Sequence, residues 1–197
     1  MNEENELSAG QPVGYFYTCW RGDPLPDLGL LEGYGFSPAE DVALLEHLSD
    51  LTCQEVRERM KNGHRPYLAW MNEQPVAYGW SAWKRAEVGE LGLSFEMPPG
   101  NRYLWDFVTL PGFRGQGIYP RMIQGIIREE SGDADRFWIG HDLDNIASAR
   151  GIEKAGVPVI GEVHIREGKP VFVGREPRER AQAAAKLLGL SLVFSDD

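Results

Sequence analysis

The sequence predicts an α/β fold of the α+β kind, a sheet flanked by helices, and three stretches carry that prediction. Residues 67–83 place β-rich runs on either side of Asn72-Glu73-Gln74, the signal of a hairpin. Residues 103–127 pass from an apolar strand through a glycine-rich turn into helical spacing. Residues 137–156 repeat that order, with Phe137-Trp138-Ile139-Gly140-His141 as a buried strand and a following helix stopped by Gly156.

The first strand falls in residues 12–20, where Val13, Tyr15 and Tyr17 alternate, and a Gly-, Pro- and Asp-rich loop runs from Arg21 to Gly35. Ser37-Pro38-Ala39-Glu40 reads as a helix start, with Ser37 as cap, Pro38 in the first position and Glu40 completing a capping box. Val42, Leu44, Leu45 and Leu48 form that helix's buried stripe, and a second helix runs from about Cys53 to Lys61. Strands follow at Tyr67–Met71, Pro75–Trp83, within Gly89–Met97, and at Tyr103–Leu110. The next helix buries Ile118, Met122, Ile123, Ile126 and Ile127, leaving Arg121, Gln124, Arg128 and Glu129 outside the stripe. Val159–Ile165 and Val171–Val173 pair around Glu167-Gly168-Lys169, and Pro177–Leu188 is a last helix with Ala181, Ala184, Leu187 and Leu188 on one side.

With 197 residues, 42% of them hydrophobic, the chain can bury one full core. A net charge of −10 argues against nucleic-acid binding, which needs cations to displace counterions from phosphates, and favours cationic acceptors by long-range attraction. Cys19 and Cys53 lie far apart, without ligand spacing, so neither a metal nor a disulfide is expected. The start of the chain is acidic and no run has the length of a membrane span, so a cytoplasmic protein without membrane contact is the expectation.

The chemistry concentrates in Arg114-Gly115-Gln116-Gly117-Ile118-Tyr119-Pro120. The first amides of a helix lack partners within it and carry partial positive charge, so a phosphate can accept several of them. Glycines let the main chain approach the phosphate oxygens, and Arg114 adds a fork of charged donors. Pro120 fits the first helical turn, where its missing N–H has no intrahelical partner to lose. No lysine followed by serine or threonine comes after the glycines, which disfavours a P-loop nucleotide site.

Arg114-Gly115-Gln116-Gly117-Ile118, after a strand ending at Pro111, resembles the pyrophosphate signature of the GNAT superfamily of acyl-CoA-dependent N-acetyltransferases. Asn145-Ile146-Ala147-Ser148 and Lys154-Ala155-Gly156-Val157 resemble the second half of the same core. The resemblance implies a mixed, mostly antiparallel sheet splayed between two central strands, with residues 1–10 as a flexible start, 11–175 as one domain and 176–197 as a helix and tail packed on it. It implies acetyl-CoA as acyl donor, bound by the main chain of Val108, Thr109 and Leu110, by the loop Arg114, Gly115, Gln116, Gly117, Ile118 and Tyr119, and by Asn145 and Ser148. The partner would be an amine acceptor on a small molecule or peptide, attacked directly in a ternary complex, and residues 21–35 with the helices after them would set its identity. The alternative is a protein of this fold that holds acyl-CoA with little transfer.

Two departures bear on mechanism. Tyr119 stands where the family usually has glycine or alanine, and Ile152 stands where many members carry a tyrosine that protonates the departing thiolate. Tyr119 is therefore a candidate substitute acid. For the base, His141 comes first, at the end of the splayed strand and of the one side-chain type that ordinarily changes charge near neutral pH, followed by Asp106 and Glu96. Trp20, Trp70, Trp80, Trp83, Trp105 and Trp138 fall mainly in the expected strands and are core residues for the most part, with some strand faces available to stack on a sugar ring or enclose a cation in the acceptor cleft. The alanine side of the last helix packs either on its own domain or on a second copy, the latter giving a homodimer.

Overall fold

In the computed structural model, which describes residues 10–89 and 92–194, chain alternation builds one nine-stranded sheet and a separate hairpin. In sequence the elements are β1 (Gln11–Trp20), β2 (Tyr34–Pro38), α1 (Val42–Leu48), α2 (Cys53–Lys61), β3 (His64–Met71), β4 (Gln74–Ala82), β5 (Arg85–Val88) and β6 (Leu93–Glu96). Then come β7 (Asn101–Thr109), α3 (Ile118–Glu130), β8 (Arg136–Asp142), α4 (Ile146–Ala155), β9 (Val159–Arg166), β10 (Lys169–Gly174), α5 (Arg178–Leu188) and β11 (Ser191–Phe194). The sheet order is β11-β10-β9-β1-β8-β7-β4-β3-β2, with β5 and β6 paired apart from it. Residues 1–9, expected to be flexible, and the tail at 195–197 lie outside the described residues, as do 90–91 of the strand expected within Gly89–Met97.

Local chemistry explains most boundaries. The β3–β4 hairpin turns at Asn72 and Glu73, both at positive φ, the backbone that a two-residue turn between twisted strands requires. Helix α2 covers the expected Cys53–Lys61, and its start is a full capping box, in which Thr52 accepts from the Glu55 amide and Glu55 accepts from the Thr52 amide. The box expected at Ser37–Glu40 is absent. Ser37 and Pro38 instead belong to β2, opposite Leu68 and Tyr67, and Asp41 caps α1 by accepting from the Leu44 amide at 3.1 Å. Phe36, stacked 5.2 Å from Tyr67, draws the segment onto the sheet, so packing overrides the cap signal.

Helix α3 buries Ile118, Met122, Ile123, Ile126 and Ile127 against one sheet face, as its spacing requires. Gln124, expected outside the stripe, is also buried: its amide donates to the carbonyls of Pro26 and Ala155 at 2.9 and 3.0 Å, while its oxygen accepts from Arg128. It thereby ties the 21–33 segment and the end of α4 to α3. Buried Glu130 is satisfied in the same manner, by Arg102 and the Tyr67 hydroxyl. On the other face, α5 lays Ala181, Ala184, Leu187 and Leu188 on its own sheet beside Phe172 and Trp138, so this side of the helix is used within the chain.

Two strand placements go beyond the sequence reading. Strand β1 lies inside the sheet between β8 and β9, antiparallel to both, and β11 adds a parallel strand to β10. Among the described residues no helix is long and apolar enough to cross a membrane, and no group of side chains has the makings of a metal site.

Candidate functional site

Strands β7 and β8 run parallel and pair only from Asn101 opposite Arg136 to Leu104 opposite Ile139. Beyond that point they part. The cause is visible in β7, which carries one residue more than β4 between Tyr78 and Trp80 and turns through Asp106 at φ 48°. Such a bulge bends its strand away from a neighbour, and the left-handed backbone costs a non-glycine residue roughly 1–2 kcal/mol, aspartate being among the tolerant types. The ring of Phe107 then lies against Gly79, where a Cβ would come within 2.3 Å of it. A cleft of about 990 Å3 fills the gap and reaches both faces of the sheet. Tyr119, Ser148 and Lys154 line it on the α3–α4 side, and Arg59, Glu87 and Leu188 on the other.

On the α3–α4 side the cleft is lined largely by main chain. Leu110 donates its N–H to Val76 on β4 at 2.8 Å, and strand alternation turns Thr109's peptide groups to the edge that β8 has left. Val108 and Leu110, also expected to bind with their main chain, face β4. The Thr109 carbonyl accepts from Arg114 Nε at 3.0 Å, which draws the loop over the strand end. Gly115 and Gly117 sit at φ 79° and 76°, with open space where a Cβ of Gly115 would be. Gly117 is the N-cap of α3 and brings no side chain to its first amides. Gln116 donates to the Gly112 carbonyl at 3.3 Å and stays exposed.

Charge gathers at this helix start although the chain is acidic. A Cβ on Gly117 would lie 2.7 Å from Arg121 Nη1 and 3.4 Å from Lys154 Nζ, and Arg150 lines the same cleft one turn earlier on α4. Free amides, two left-handed glycines and four cations suit a pyrophosphate, so the residues present fit the donor that the sequence implies.

Asn145 caps α4, its Oδ1 accepting from the Ser148 amide at 3.0 Å. The Tyr119 hydroxyl lies 3.0 Å from Ser148 Oγ, and the Tyr119 ring packs on Gly151 and, with centroids 5.0 Å apart, on Phe107. Burial, partly offset by the Ser148 bond, pushes the Tyr119 phenol up to about 12. Ile152 is fully buried and belongs to the core.

The candidate bases differ in setting. His141 lines the cleft with its ring between those of Tyr15 and Tyr17. Its Nδ1 is 2.7 Å from the Asp142 carbonyl, which only accepts, so Nδ1 carries the proton and Nε2 accepts from the Tyr17 hydroxyl at 2.9 Å. Burial first, then Glu153 and Tyr15, push the Tyr17 phenol up to about 12, so it stays protonated. Asp106 also lines the cleft, but its carboxylate is paired with Arg59. Glu96 is exposed on β6 opposite Arg85 and lies outside the cleft lining, where Glu87 of the same hairpin is found instead.

Arg59, Trp105 and Tyr17 were not singled out by sequence. Arg59 occupies an ordinary amphipathic helix, and nothing in its neighbours marks it. The aromatic content left a stacked sugar or an enclosed cation open for a ligand; over Trp105, at 4.5 Å, stands the protein's own Arg59. Of the 21–35 loop, expected together with the helices after it to set the acceptor, Pro26 rests on Gly156 and the Leu28 carbonyl accepts from Arg121, while α2 brings Arg59 to the cleft.

Solved structures share this architecture. An acetyltransferase of the GNAT family from Novosphingobium aromaticivorans is 16% identical, with a TM-score of 0.51 over 75% of this chain and 60% of that one. A GNAT-family acetyltransferase from Colwellia psychrerythraea is 13% identical, with a TM-score of 0.50 over 78% of this chain and 56% of that one. The chain thus spans little more than half the length of these proteins, and at such identities the likeness is one of fold. No curated protein matches the chain by sequence. The model of the Acetyltransferase (GNAT) family matches residues 10–157, and with its two signatures built around one cleft the chain belongs to that family of N-acetyltransferases.

Proposed function

We propose that the chain moves an acetyl group from acetyl-CoA to the amine of a small molecule or peptide, by direct attack while both are bound, in the cytoplasm. The observation that carries this reading is the split between β7 and β8, which opens at the cationic glycine turn at one end and passes through the sheet.

Acetyl-CoA supplies an activated thioester carbonyl. The amides of Gly115–Tyr119, Arg114 and Lys154 hold its pyrophosphate, and the Thr109 N–H is the donor at the open edge that can polarise the carbonyl. His141 Nε2 takes one proton from the ammonium, the freed amine nitrogen bonds to the acetyl carbon, the carbon–sulfur bond breaks, and the second proton, lost from the new acylammonium, passes through water to the departing thiolate. Tyr17 accommodates the proton on His141 by turning from donor to acceptor, since a hydroxyl can do either. Burial keeps the Tyr119 phenol protonated, so in the cleft it is a hydrogen-bond donor.

Calorimetric titration with acetyl-CoA tests the reading. Wild-type protein is expected to bind, and Arg114→Glu to weaken binding by at least about tenfold, since one reversed charge at a phosphate exceeds the ~1.4 kcal/mol that this factor requires. Absence of binding by a folded wild type would remove the donor site.

A further inference from the structure

The acceptor side of the cleft holds a charged pair that the donor chemistry does not use. Arg59 Nη1 donates to Asp106 Oδ2, and the guanidinium is stacked 4.5 Å from the Trp105 ring centroid and 5.2 Å from that of Trp80. Both side chains keep about a quarter of their surface, 24% and 26%, and both line the cleft. Among the described residues neither makes a further hydrogen bond, so Asp106 Oδ1 and the remaining N–H groups of Arg59 have capacity left.

The pair stands where the two strands part. Asp106 is the left-handed bulge residue two places beyond Leu104, the last β7 residue paired with β8, and backbone held in such a conformation is a recurrent property of ligand sites. Around the pair the wall is apolar, formed by Trp105, Val88, Leu93 and Leu188. Glu87 is at the rim, 68% exposed and paired with Arg85. Its field is therefore screened by water.

Charge balance then selects the ligand. A simple amine that takes Asp106 must share it with a guanidinium fixed on two indoles, and brings a net positive charge into a partly desolvated cleft. A simple carboxylate fails in the opposite sense. A zwitterion satisfies both partners and adds no net charge.

We propose, resting on the acetyl-transfer reading, that the acceptor is a free α-amino acid with an apolar side chain, its carboxylate held by Arg59 and its ammonium docked on Asp106. Arg59 is then a specificity residue, and the apolar wall receives the side chain. Arginine suits the task because its planar fork meets a carboxylate with two parallel bonds.

The test is thiol release from acetyl-CoA with the twenty free L-amino acids, each apolar one compared with its amide and with its decarboxylated amine. At least one apolar amino acid should show kcat/KM about tenfold or more above both counterparts, the discrimination expected of one charge-assisted contact. Arg59→Met should erase that preference through KM for the acid, and Arg59→Lys should restore part of it. Acetyl-CoA affinity, measured on each variant, reports that the variant is folded; if Arg59→Met does not fold, the wild-type comparison of acid, amide and amine decides. Amides or amines used as well as acids overturn the proposal, as does equal loss for all acceptors in Arg59→Met. Absence of turnover with every amino acid while acetyl-CoA binds overturns it and leaves the donor site standing. Absence of acetyl-CoA binding removes the acetyl-transfer reading itself.

Discussion

The two ends of the cleft are built from different materials. The end proposed for the donor is main chain: a strand edge at Thr109, a turn held by Gly115 and Gly117, and the uncapped start of α3, all within about ten consecutive residues. The end proposed for the acceptor is side chain: Arg59 from α2, Val88 and Leu93 from the β5–β6 hairpin, Trp105 and Asp106 from β7, and Leu188 from α5. A main-chain site constrains sequence at a few glycines, and it serves a ligand part that never changes. A side-chain site assembled from distant elements can be altered one residue at a time without disturbing the first.

Substitutions can separate the two ends. The largest effect is expected at the junction, where His141→Ala should lower kcat by about a hundredfold, as loss of a general base does, while acetyl-CoA affinity changes far less. Matched losses in both quantities would make His141 a structural residue of the cleft. Next, Gly117→Val should weaken acetyl-CoA by about tenfold, because a β-branched residue at φ 76° carries roughly 1–2 kcal/mol of strain and presses its Cβ on Arg121. KM for the acceptor should follow much less. A variant that binds acetyl-CoA normally would show that the turn tolerates a side chain and that the cradle lies elsewhere.

The smallest effect concerns pH at the acceptor end. His64 stands edge-on to Trp105, and burial, then Arg59, hold its imidazole below the ordinary histidine value of about 6.5. The folded state thus favours the neutral ring, and the unfolded chain takes up a proton first. The stability this contributes is complete above about 6.5 and is lost as pH falls through that value toward the folded one. Thermal melts between pH 8 and pH 5 should show a shallower decline for His64→Phe than for wild type; parallel declines would assign the sensitivity to other groups.

The same contrast explains what could be read in advance. Arg114–Ile118, the cap Asn145 and the stop at Gly156 are local statements, written where they act. The bounds of α2 were legible for the same reason, since helix spacing from Cys53 to Lys61 is a local property. Ser37-Pro38-Ala39-Glu40 misled because a real capping pattern competes there with pairing to β3 and with the stack of Phe36 on Tyr67, contacts about thirty residues away. Gln124 misled because its partners, Pro26 and Ala155, come from two other segments. Arg59 carried no signal at all, since its meaning arises only when α2 and the β7 bulge meet. Glu96 and Glu87 are alternatives on one hairpin, and only its seating on the sheet distinguishes them.

The position of β1 has a consequence for how the molecule is made. Tyr15 faces His141 on one side and Glu162 on the other, so β1 cannot pair until β8 and β9, far downstream, have been synthesised. Until then a strand bearing Phe16, Tyr17 and Cys19, all buried at completion, waits with both of its hydrogen-bonding edges open. Closing such distant pairs is slow, and exposed strand edges invite pairing between chains in the interval. The half-sheet β2-β3-β4-β7 can assemble as it emerges, whereas the half that holds β1 closes last, and with it the wall of the cleft that carries His141.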